Sequence, residues 1–201
     1  MIAHPNARDL RSLAQPPSES NKSKKEVRIQ MLALRNAISE SERKQKGEEI
    51  MQKLFALDEF KSAKCIAFYI SKGSEVATLD MIKKALSLDK EILVPHTDHE
   101  IELVKFTSFE DLAPARFGIL EPKTKIRSEK APDIIIVPGL SFDLDLHRLG
   151  YGKGHYDKLL KTLNSIRIGV CFDMQIIEKI PRHEHDERLD IVISEKRLLI
   201  L

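Results

Sequence analysis

A glycine-rich segment carries the residue types most suited to chemistry in this chain. Three of the eight glycines stand at alternate positions, 150, 152 and 154, between Arg148 and Asp157, with Lys153 among them. A glycine-dense turn lets backbone N–H groups approach a phosphate closely, and the N-terminus of a following helix adds the positive end of its dipole. The glycine loop, defined here as residues 150–154, therefore predicts an anion-binding site.

The spacing of these glycines differs from that of the commonest phosphate-binding loops. A Walker loop requires G-x-x-x-x-G-K-[ST], and a dinucleotide fingerprint requires G-x-G-x-x-G. Alternate glycines alone are just as typical of a flexible turn. The flanking Arg148 and Lys153 favour the phosphate interpretation, because two cations in a tight turn repel each other unless an anion lies between them.

Composition indicates one globular domain with a local rather than a general positive site. The chain has 201 residues, and its 33 Lys and Arg against 31 Asp and Glu leave a net charge of +2. This balance does not by itself favour a nucleic acid or a membrane as partner. Residues 1–22 hold three prolines and show no periodicity, so we expect a mobile extension followed by a single domain at 23–201.

Cysteine usage and hydropathy are typical of a cytoplasmic protein. Cys65 and Cys171 both lie in apolar, strand-like runs and are interpreted as small buried hydrophobic residues in a reducing compartment. No apolar run approaches the roughly twenty residues needed to span a bilayer, and we expect no membrane association.

Short β-rich runs alternate with helical ones along most of the chain. Apolar residues at helical spacing predict a helix over about 24–38, and Ser39 with Glu42 suggests a capping box for a second helix that ends near 57. Strands are predicted at 64–70, 91–95, 101–106, 133–137, 167–172 and 190–193, with helices at 78–88, 155–163 and 175–180. This alternation predicts an α/β fold: a three-layer α/β/α sandwich around a mainly parallel, Rossmann-like sheet. The glycine loop should lie at the carboxyl edge of the strands.

The first helix carries a basic stripe formed by Lys24, Arg28 and Arg35. The stripe is either a solvated face whose aliphatic stems cover the core or a second phosphate clamp. The clamp requires this helix to pack near the glycine loop.

Carboxylates and histidines leave further alternatives open. Asp157 falls in the first turn of a predicted helix, where it either complements the dipole or holds a Mg²⁺ ion on a bound polyphosphate, with Asp186 as a second ligand. Glu75 either caps a helix or binds a polar group of a substrate. The histidines at 96, 99, 183 and 185 do not form a four-ligand zinc pattern and are interpreted as loop residues.

Two motifs together resemble a known family. The chain reads P-G-L-S-F-D from Pro138 and R-L-G-Y-G-K-G-H-Y-D from Arg148. It thereby resembles the 5-formyltetrahydrofolate cyclo-ligase family, with its P-G-x-x-F-D and R-L-G-x-G-x-G-[YF]-Y-D pattern. The resemblance covers about residues 24–195. Supporting matches are Lys24, Arg28, Gly73, Glu75, the stretch 117–122, His185 and Asp186.

The resemblance implies an ATP- and Mg²⁺-dependent conversion of 5-formyltetrahydrofolate to 5,10-methenyltetrahydrofolate, ADP and phosphate. The formyl oxygen attacks the γ-phosphorus, N10 attacks the activated carbon, and phosphate leaves. Lys24, Arg28, Arg148 and Lys153 would neutralise phosphate charge, Arg148 and Lys153 as catalytic groups. The rest of the implied ATP cradle is Leu149, Gly150, Tyr151, Gly152, Gly154, His155 and Tyr156.

The implied folate contacts are Ile70, Glu75, Tyr151, Gly152, Lys153, Gly154 and His155. Asp157 and Asp186 would hold Mg²⁺. The implied partners are ATP and 5-formyltetrahydrofolate, with or without a polyglutamate tail, and we expect a monomer.

Two departures from the family pattern occur. Residues 144–147 lack the usual turn glycine, and His155 replaces a Tyr or Phe. The alternative functions are a non-catalytic folate- or nucleotide-binding relative, an RNA-binding relative and a small-molecule kinase.

Overall fold

A seven-stranded sheet forms the centre of the protein. The computed structural model describes residues 22–98, 100–115, 118–181 and 186–201. The strands of this sheet are β1 Cys65–Ala67, β2 Glu91–Thr97, β3 Ile101–Lys105, β6 Ile134–Val137, β9 Ile166–Val170, β11 Ile191–Ile193 and β12 Leu198–Ile200. Their spatial order is β12-β11-β9-β6-β1-β2-β3. The five inner strands are parallel, while β3 and β12 pair antiparallel at the two edges.

Three helices cover one face of this sheet. They are α2 Glu40–Ala56, α3 Asp58–Ser62 and α4 Leu79–Leu86. Their buried residues join alternate strand residues such as Ile66, Ile134 and Ile136 in the larger apolar cluster. Because successive side chains on a strand point to opposite faces, Ala67, Ile135 and Val137 pack on the other side.

The second face is covered by helix α5 His155–Thr162 together with a small sheet. That sheet consists of β7 Ser141–Asp143, β8 Arg148–Leu149 and β10 Ile176–Ile177, in the order β10-β7-β8. The three-layer α/β arrangement with a mainly parallel sheet is therefore confirmed, and a small sheet shares the third layer with α5.

The first helix, α1 Lys24–Ala37, packs on the small sheet rather than on the central one. Val27 and Met31 contact Leu149 and Ile180 in a separate apolar cluster. Ser23 and Glu26 form a reciprocal capping box at its start. At α2, Ser39 accepts from the amide of Glu42, which is one half of the predicted capping box; the reciprocal bond from the amide of Ser39 to the Glu42 carboxylate does not form.

Most predicted elements are present, and one is wrong. Each of the six predicted strands and the helices near 24–38, 39–57, 78–88 and 155–163 has a counterpart. The predicted helix at 175–180 is instead a 3-10 turn, Asp173–Gln175, followed by β10. The short strands β7, β8, β10 and β12 and the hairpin of β4 Leu112–Pro114 with β5 Leu120–Pro122 were not predicted.

Cys65 and Cys171 are both free and buried, as the sequence indicated. No helix within the described ranges combines the length and the apolar character needed to cross a bilayer.

Candidate active site

A short hairpin delivers the glycine loop to the carboxyl edge of the central sheet. β7 and β8 lie between the end of β6 and the loop, so the loop does not follow β6 directly. The hairpin returns the chain, because the amide of Leu140 donates to the carbonyl of Leu149 at 2.7 Å. The start of the loop therefore lies beside Leu140. Leu140 is three residues beyond Val137, the last residue of β6.

The hairpin turn forms without the glycine usual in the family. Leu146 adopts a left-handed conformation, with φ 65°, and its side chain is buried. The fully buried carboxylate of Asp143 accepts from the amides of Asp145, His147 and Ile180 at 2.9 to 3.1 Å. Burial of Leu146 and these three hydrogen bonds offset the strain of the turn.

Two glycines of the loop adopt conformations that other residues rarely take. Gly152 has φ 96°, and Gly154 has φ 67° and occupies the cap position of α5. A Cβ atom at Gly152 would lie only 3.2 Å from Cζ of Arg28. Glycine at 152 thus permits the guanidinium of Arg28 to lie against the loop backbone.

Helix α1 packs directly against the glycine loop. Nε of Arg28 donates to the carbonyl of Gly150 at 2.8 Å, and Nζ of Lys24 lies 2.6 Å from Oδ2 of Asp186. This packing satisfies the geometric requirement that the second phosphate clamp imposed. Phosphate binding by Lys24 and Arg28 stays a prediction.

Arg148 lies at the base of the loop in a buried ion pair with Asp157. Nη2 of Arg148 is 2.8 Å from Oδ1 of Asp157, and the guanidinium stands over the ring of Tyr156 with Cζ 5.7 Å from its centroid. Burial lowers the pKa of Arg148, opposed by the charge of Asp157. Nε of Arg148 is buried without a hydrogen-bond partner in the described part of the chain. A buried unsatisfied donor calls for an explanation, and an anionic oxygen that reaches it after local rearrangement would supply one.

The remaining predicted loop residues differ in exposure. Residues 151–154, including Lys153, are exposed, whereas His155, Tyr156 and Asp157 are half-buried at the start of α5. Lys153 is thus the predicted catalytic group that projects into solvent, while Arg148 is buried.

Sequence reasoning missed the role of Arg35 at this site. Although Arg35 belongs to the basic stripe of α1, it is only 2% exposed. Its Nη2 donates to the hydroxyl of Tyr151 at 2.7 Å, and that hydroxyl donates to Oε1 of Glu75 at 3.0 Å. The helical spacing from Arg28 to Arg35, which places both on one face, was the available signal.

Glu75 closes a turn and does not cap a helix. Its Oε2 accepts from the amide of Lys72 at 2.9 Å, whereas α4 begins at Leu79 after the cap residue Thr78. The capping interpretation is therefore wrong. Glu75 also lines a cavity of about 310 Å³ between α2 and α4, which has Met51 and Met81 on its walls.

Ile70 and the two predicted metal ligands occupy different environments. Ile70 is 3% exposed and packs among the apolar residues beneath the helices of the larger cluster. Asp157 and Asp186 are each held by a cation, Arg148 and Lys24 respectively. Within the described ranges no three His, Cys, Asp or Glu side chains are grouped as a metal cage.

Some predicted residues lie outside the described ranges. These are residues 1–21, His99, Phe117, His183 and His185. His96 is described, and its Nδ1 lies 4.0 Å from Oδ1 of Asp98.

Comparisons with known proteins identify one family. The model of the 5-formyltetrahydrofolate cyclo-ligase family matches residues 20–195. The mouse 5-formyltetrahydrofolate cyclo-ligase is 30% identical over 192 residues, which cover 87% of this chain and 95% of the mouse protein.

Two solved structures are also similar. The 5,10-methenyltetrahydrofolate synthetase of Aquifex aeolicus superposes with a TM-score of 0.81 at 36% identity, over 88% of this chain and 92% of that one. The synthetase of Mycoplasma pneumoniae gives a TM-score of 0.69 at 25% identity, over 87% and 99% of the two chains.

Proposed function

The chain belongs to the 5-formyltetrahydrofolate cyclo-ligase family, and we propose that it converts 5-formyltetrahydrofolate and ATP to 5,10-methenyltetrahydrofolate, ADP and phosphate. The observation that carries this proposal is the convergence of cations from α1 and β8 on the glycine loop. Arg28 donates to the carbonyl of Gly150 in the loop, Arg148 immediately precedes the loop on β8, and Lys24 lies one helical turn before Arg28, paired with Asp186. A polyphosphate is an anion that such a group of cations suits.

The proposed ATP site combines buried and exposed cations with backbone donors. Arg148 presents an unsatisfied Nε from below, and Lys153 stands on the exposed surface of the loop. The first amides of α5 have no side-chain cap. Such amides and the dipole of the helix stabilise a phosphate oxygen.

In the proposed reaction, negative charge moves from the phosphoanhydride to the leaving groups, first ADP and then phosphate. The formyl oxygen forms a bond to the γ-phosphorus while the bond to ADP breaks; N10 then closes the ring on the activated carbon, and phosphate departs. Fixed cations that follow this charge stabilise the transition state without reorganisation. Lys153 and Arg148 are the groups we assign to that role.

Asp157 and Asp186 provide a donor set that suits Mg²⁺ on a nucleotide. Mg²⁺ is usually held by one or two carboxylates together with phosphates and waters rather than by a protein cage. In the structure Oδ1 of Asp157 pairs with Arg148 and Oδ2 of Asp186 pairs with Lys24. The ion would neutralise phosphate charge, and these residues would orient it.

The folate is proposed to bind at Glu75, next to the exposed loop residues. Glu75 contacts Tyr151 of the loop and lines the cavity between α2 and α4, so it connects the nucleotide side of the site with space for a second substrate. We further propose that the enzyme acts in the cytoplasm as a monomer on folates with or without a polyglutamate tail.

The test is formation of the methenyl product by the purified chain. Incubation with ATP, Mg²⁺ and 5-formyltetrahydrofolate should give the absorbance of the conjugated methenyl compound and one ADP for each product formed. ADP formation without the methenyl absorbance would indicate a kinase instead. Folate binding without turnover would indicate a non-catalytic relative.

A further inference from the structure

Arg35 is a buried cation with neutral direct partners. Its Nε donates to Oγ of Ser74 at 3.1 Å, its Nη1 to the carbonyl of Gly139 at 3.4 Å, and its Nη2 to the hydroxyl of Tyr151 at 2.7 Å. Within the described ranges no carboxylate forms an ion pair with it. A buried guanidinium without a compensating negative charge is costly. The negative charge connected to Arg35 by these contacts is that of Glu75, whose carboxylate accepts a hydrogen bond from the Tyr151 hydroxyl.

The donors in this chain of contacts have a fixed direction. A guanidinium carries only donors, so it takes a lone pair of the Tyr151 oxygen. The single proton of that hydroxyl must therefore go to Glu75. Although 56% of Tyr151 is exposed, desolvation of its hydroxyl and then the charge of Glu75 raise its pKa, so the hydroxyl keeps this proton at neutral pH.

The carboxylate of Glu75 is held at both oxygens but retains capacity to bind. Oε1 accepts from Tyr151 at 3.0 Å and Oε2 from the amide of Lys72 at 2.9 Å. Each carboxylate oxygen has two lone-pair sites, so one acceptor site on each oxygen is left for a substrate donor. A carboxylate fixed in this way binds a ligand at a lower entropic cost than a mobile one.

We propose that Arg35 and Tyr151 are positioning residues that fix the Glu75 carboxylate for the folate. Tyr151, a residue of the glycine loop, thereby sets the affinity for the folate. The inference rests on the proposed function, because folate contact at Glu75 is itself proposed. Tyr151 occupies the unspecified position of the R-L-G-x-G motif. The arrangement of Arg35, Tyr151 and Glu75 is therefore a feature of this chain's own sequence and is not prescribed by the motif.

Tyr151→Phe is the decisive variant, and Ser74→Ala is its matched control. Tyr151→Phe removes the hydroxyl and leaves Glu75 without one of its two donors. Ser74→Ala also deprives Arg35 of a hydrogen-bond partner but leaves the contact between Tyr151 and Glu75 in place. The two variants should therefore lose similar stability, which thermal unfolding measures, and differ in folate binding.

Calorimetric titration of 5-formyltetrahydrofolate and steady-state kinetics give the readout. Tyr151→Phe should raise the Kd and the KM for 5-formyltetrahydrofolate roughly tenfold, as expected for one lost hydrogen bond to a charged group. Its folate constants should change more than its kcat and its KM for ATP. Ser74→Ala should leave all these constants within about threefold of the parent.

Three outcomes would overturn the inference. They are an unchanged folate Kd in Tyr151→Phe, an effect confined to the KM for ATP, and an equal loss of folate affinity in Ser74→Ala. These outcomes are judged in a preparation whose parent chain turns over. A parent chain without turnover would contradict the proposed function itself, which keeps the two failures distinguishable.

Discussion

Nη2 of Arg148 lies 2.8 Å from Oδ1 of Asp157, so a cation proposed to bind phosphate and a carboxylate proposed to bind Mg²⁺ neutralise each other. The pair joins β8 to the first turn of α5 across the glycine loop. It therefore has a structural role in addition to any chemical one. Phosphate and Mg²⁺ entering together would replace this pairing charge for charge.

Substitution of Asp157 should reveal both roles. Asp157→Asn should lower turnover at limiting Mg²⁺ by about tenfold or more, because a neutral amide is a poorer ligand for Mg²⁺, and high Mg²⁺ should partly restore it. The variant should also lose about 1–3 kcal/mol of stability, since Arg148 is left with an unpaired buried charge. The effect on turnover is measured by varying the Mg²⁺ concentration. The effect on stability is measured by urea unfolding. Unchanged turnover at limiting Mg²⁺ would exclude Asp157 as a ligand.

The ring of Phe142 packs against two backbone positions that only glycine fits. A Cβ at Gly169 would lie 2.6 Å from Cε1 of Phe142, and a Cβ at Gly139 would lie 2.6 Å from its Cζ. Gly169→Ala should therefore cost about 1–3 kcal/mol through overpacking. Phe142→Leu in the same chain should recover part of that loss.

Gly47→Ala is the matched control for this substitution. Gly47 lies within α2, and a Cβ there would meet nothing within 4 Å. Alanine should raise stability by about 0.5–1 kcal/mol, because it is the better helix former. Equal effects of the two alanines in urea unfolding would contradict the packing argument.

The buried thiols should make the protein less stable in alkaline solution. Burial, then Glu91 and Asp133, raises the pKa of Cys65 to about 11, and burial also raises the pKa of Cys171 well above its ordinary value. An unfolded cysteine has a pKa near 8.5. Above that pH the unfolded chain releases protons that the folded chain retains, so the free energy of unfolding falls as the pH rises from about 8.5 toward 11.

The double variant Cys65→Ala, Cys171→Ala isolates this contribution. Both chains should be unfolded with urea at several pH values between about 8 and 10, within the titration range of an unfolded thiol. The parent chain should show the steeper decline in stability. Parallel declines would mean that other groups, such as tyrosines, account for the alkaline effect.

The central sheet was predictable, while the contacts that complete the site were not. Residues 133–137 are nearly continuously apolar, which is typical of a strand buried on both faces. The glycine loop is recognisable in the sequence from its glycine content. The strands of the small sheet have only two or three residues, too few for a periodicity to appear. The apolar residues at 176, 177 and 180 fit a helical spacing as well as a strand.

The burial of Arg35 depends on packing that no local pattern encodes. Arg28 and Arg35 lie on the same face of α1, yet one reaches the loop backbone and the other lies in the core. Which of them is buried depends on where α1 crosses the small sheet, and that is decided by Leu149 and Ile180, far away in sequence. Helical periodicity identifies which residues share a face of α1, but it does not identify the element against which that face packs.

Removal of the N-terminal segment should leave the enzyme intact. A chain that starts at Ser23, after an initiator Met, retains the capping box between Ser23 and Glu26 and hence the start of α1. Its melting temperature and turnover should match those of the full chain, because residues 1–22 offer no periodic apolar face. A large loss in either measurement would show that this segment contributes to the fold or the site.

Lys153 should act on the chemical step rather than on folate binding. It is exposed on the glycine loop, where the triphosphate is proposed to lie, and its charge should follow the γ-phosphate into the transition state. Lys153→Met should lower kcat by roughly a hundredfold or more while the KM for 5-formyltetrahydrofolate changes little. Lys158→Met is the control, since Lys158 is an exposed lysine of α5 that pairs with Glu100. If Lys153→Met kept its kcat and raised only the KM for folate, Lys153 would be a substrate-binding residue and not a catalytic one.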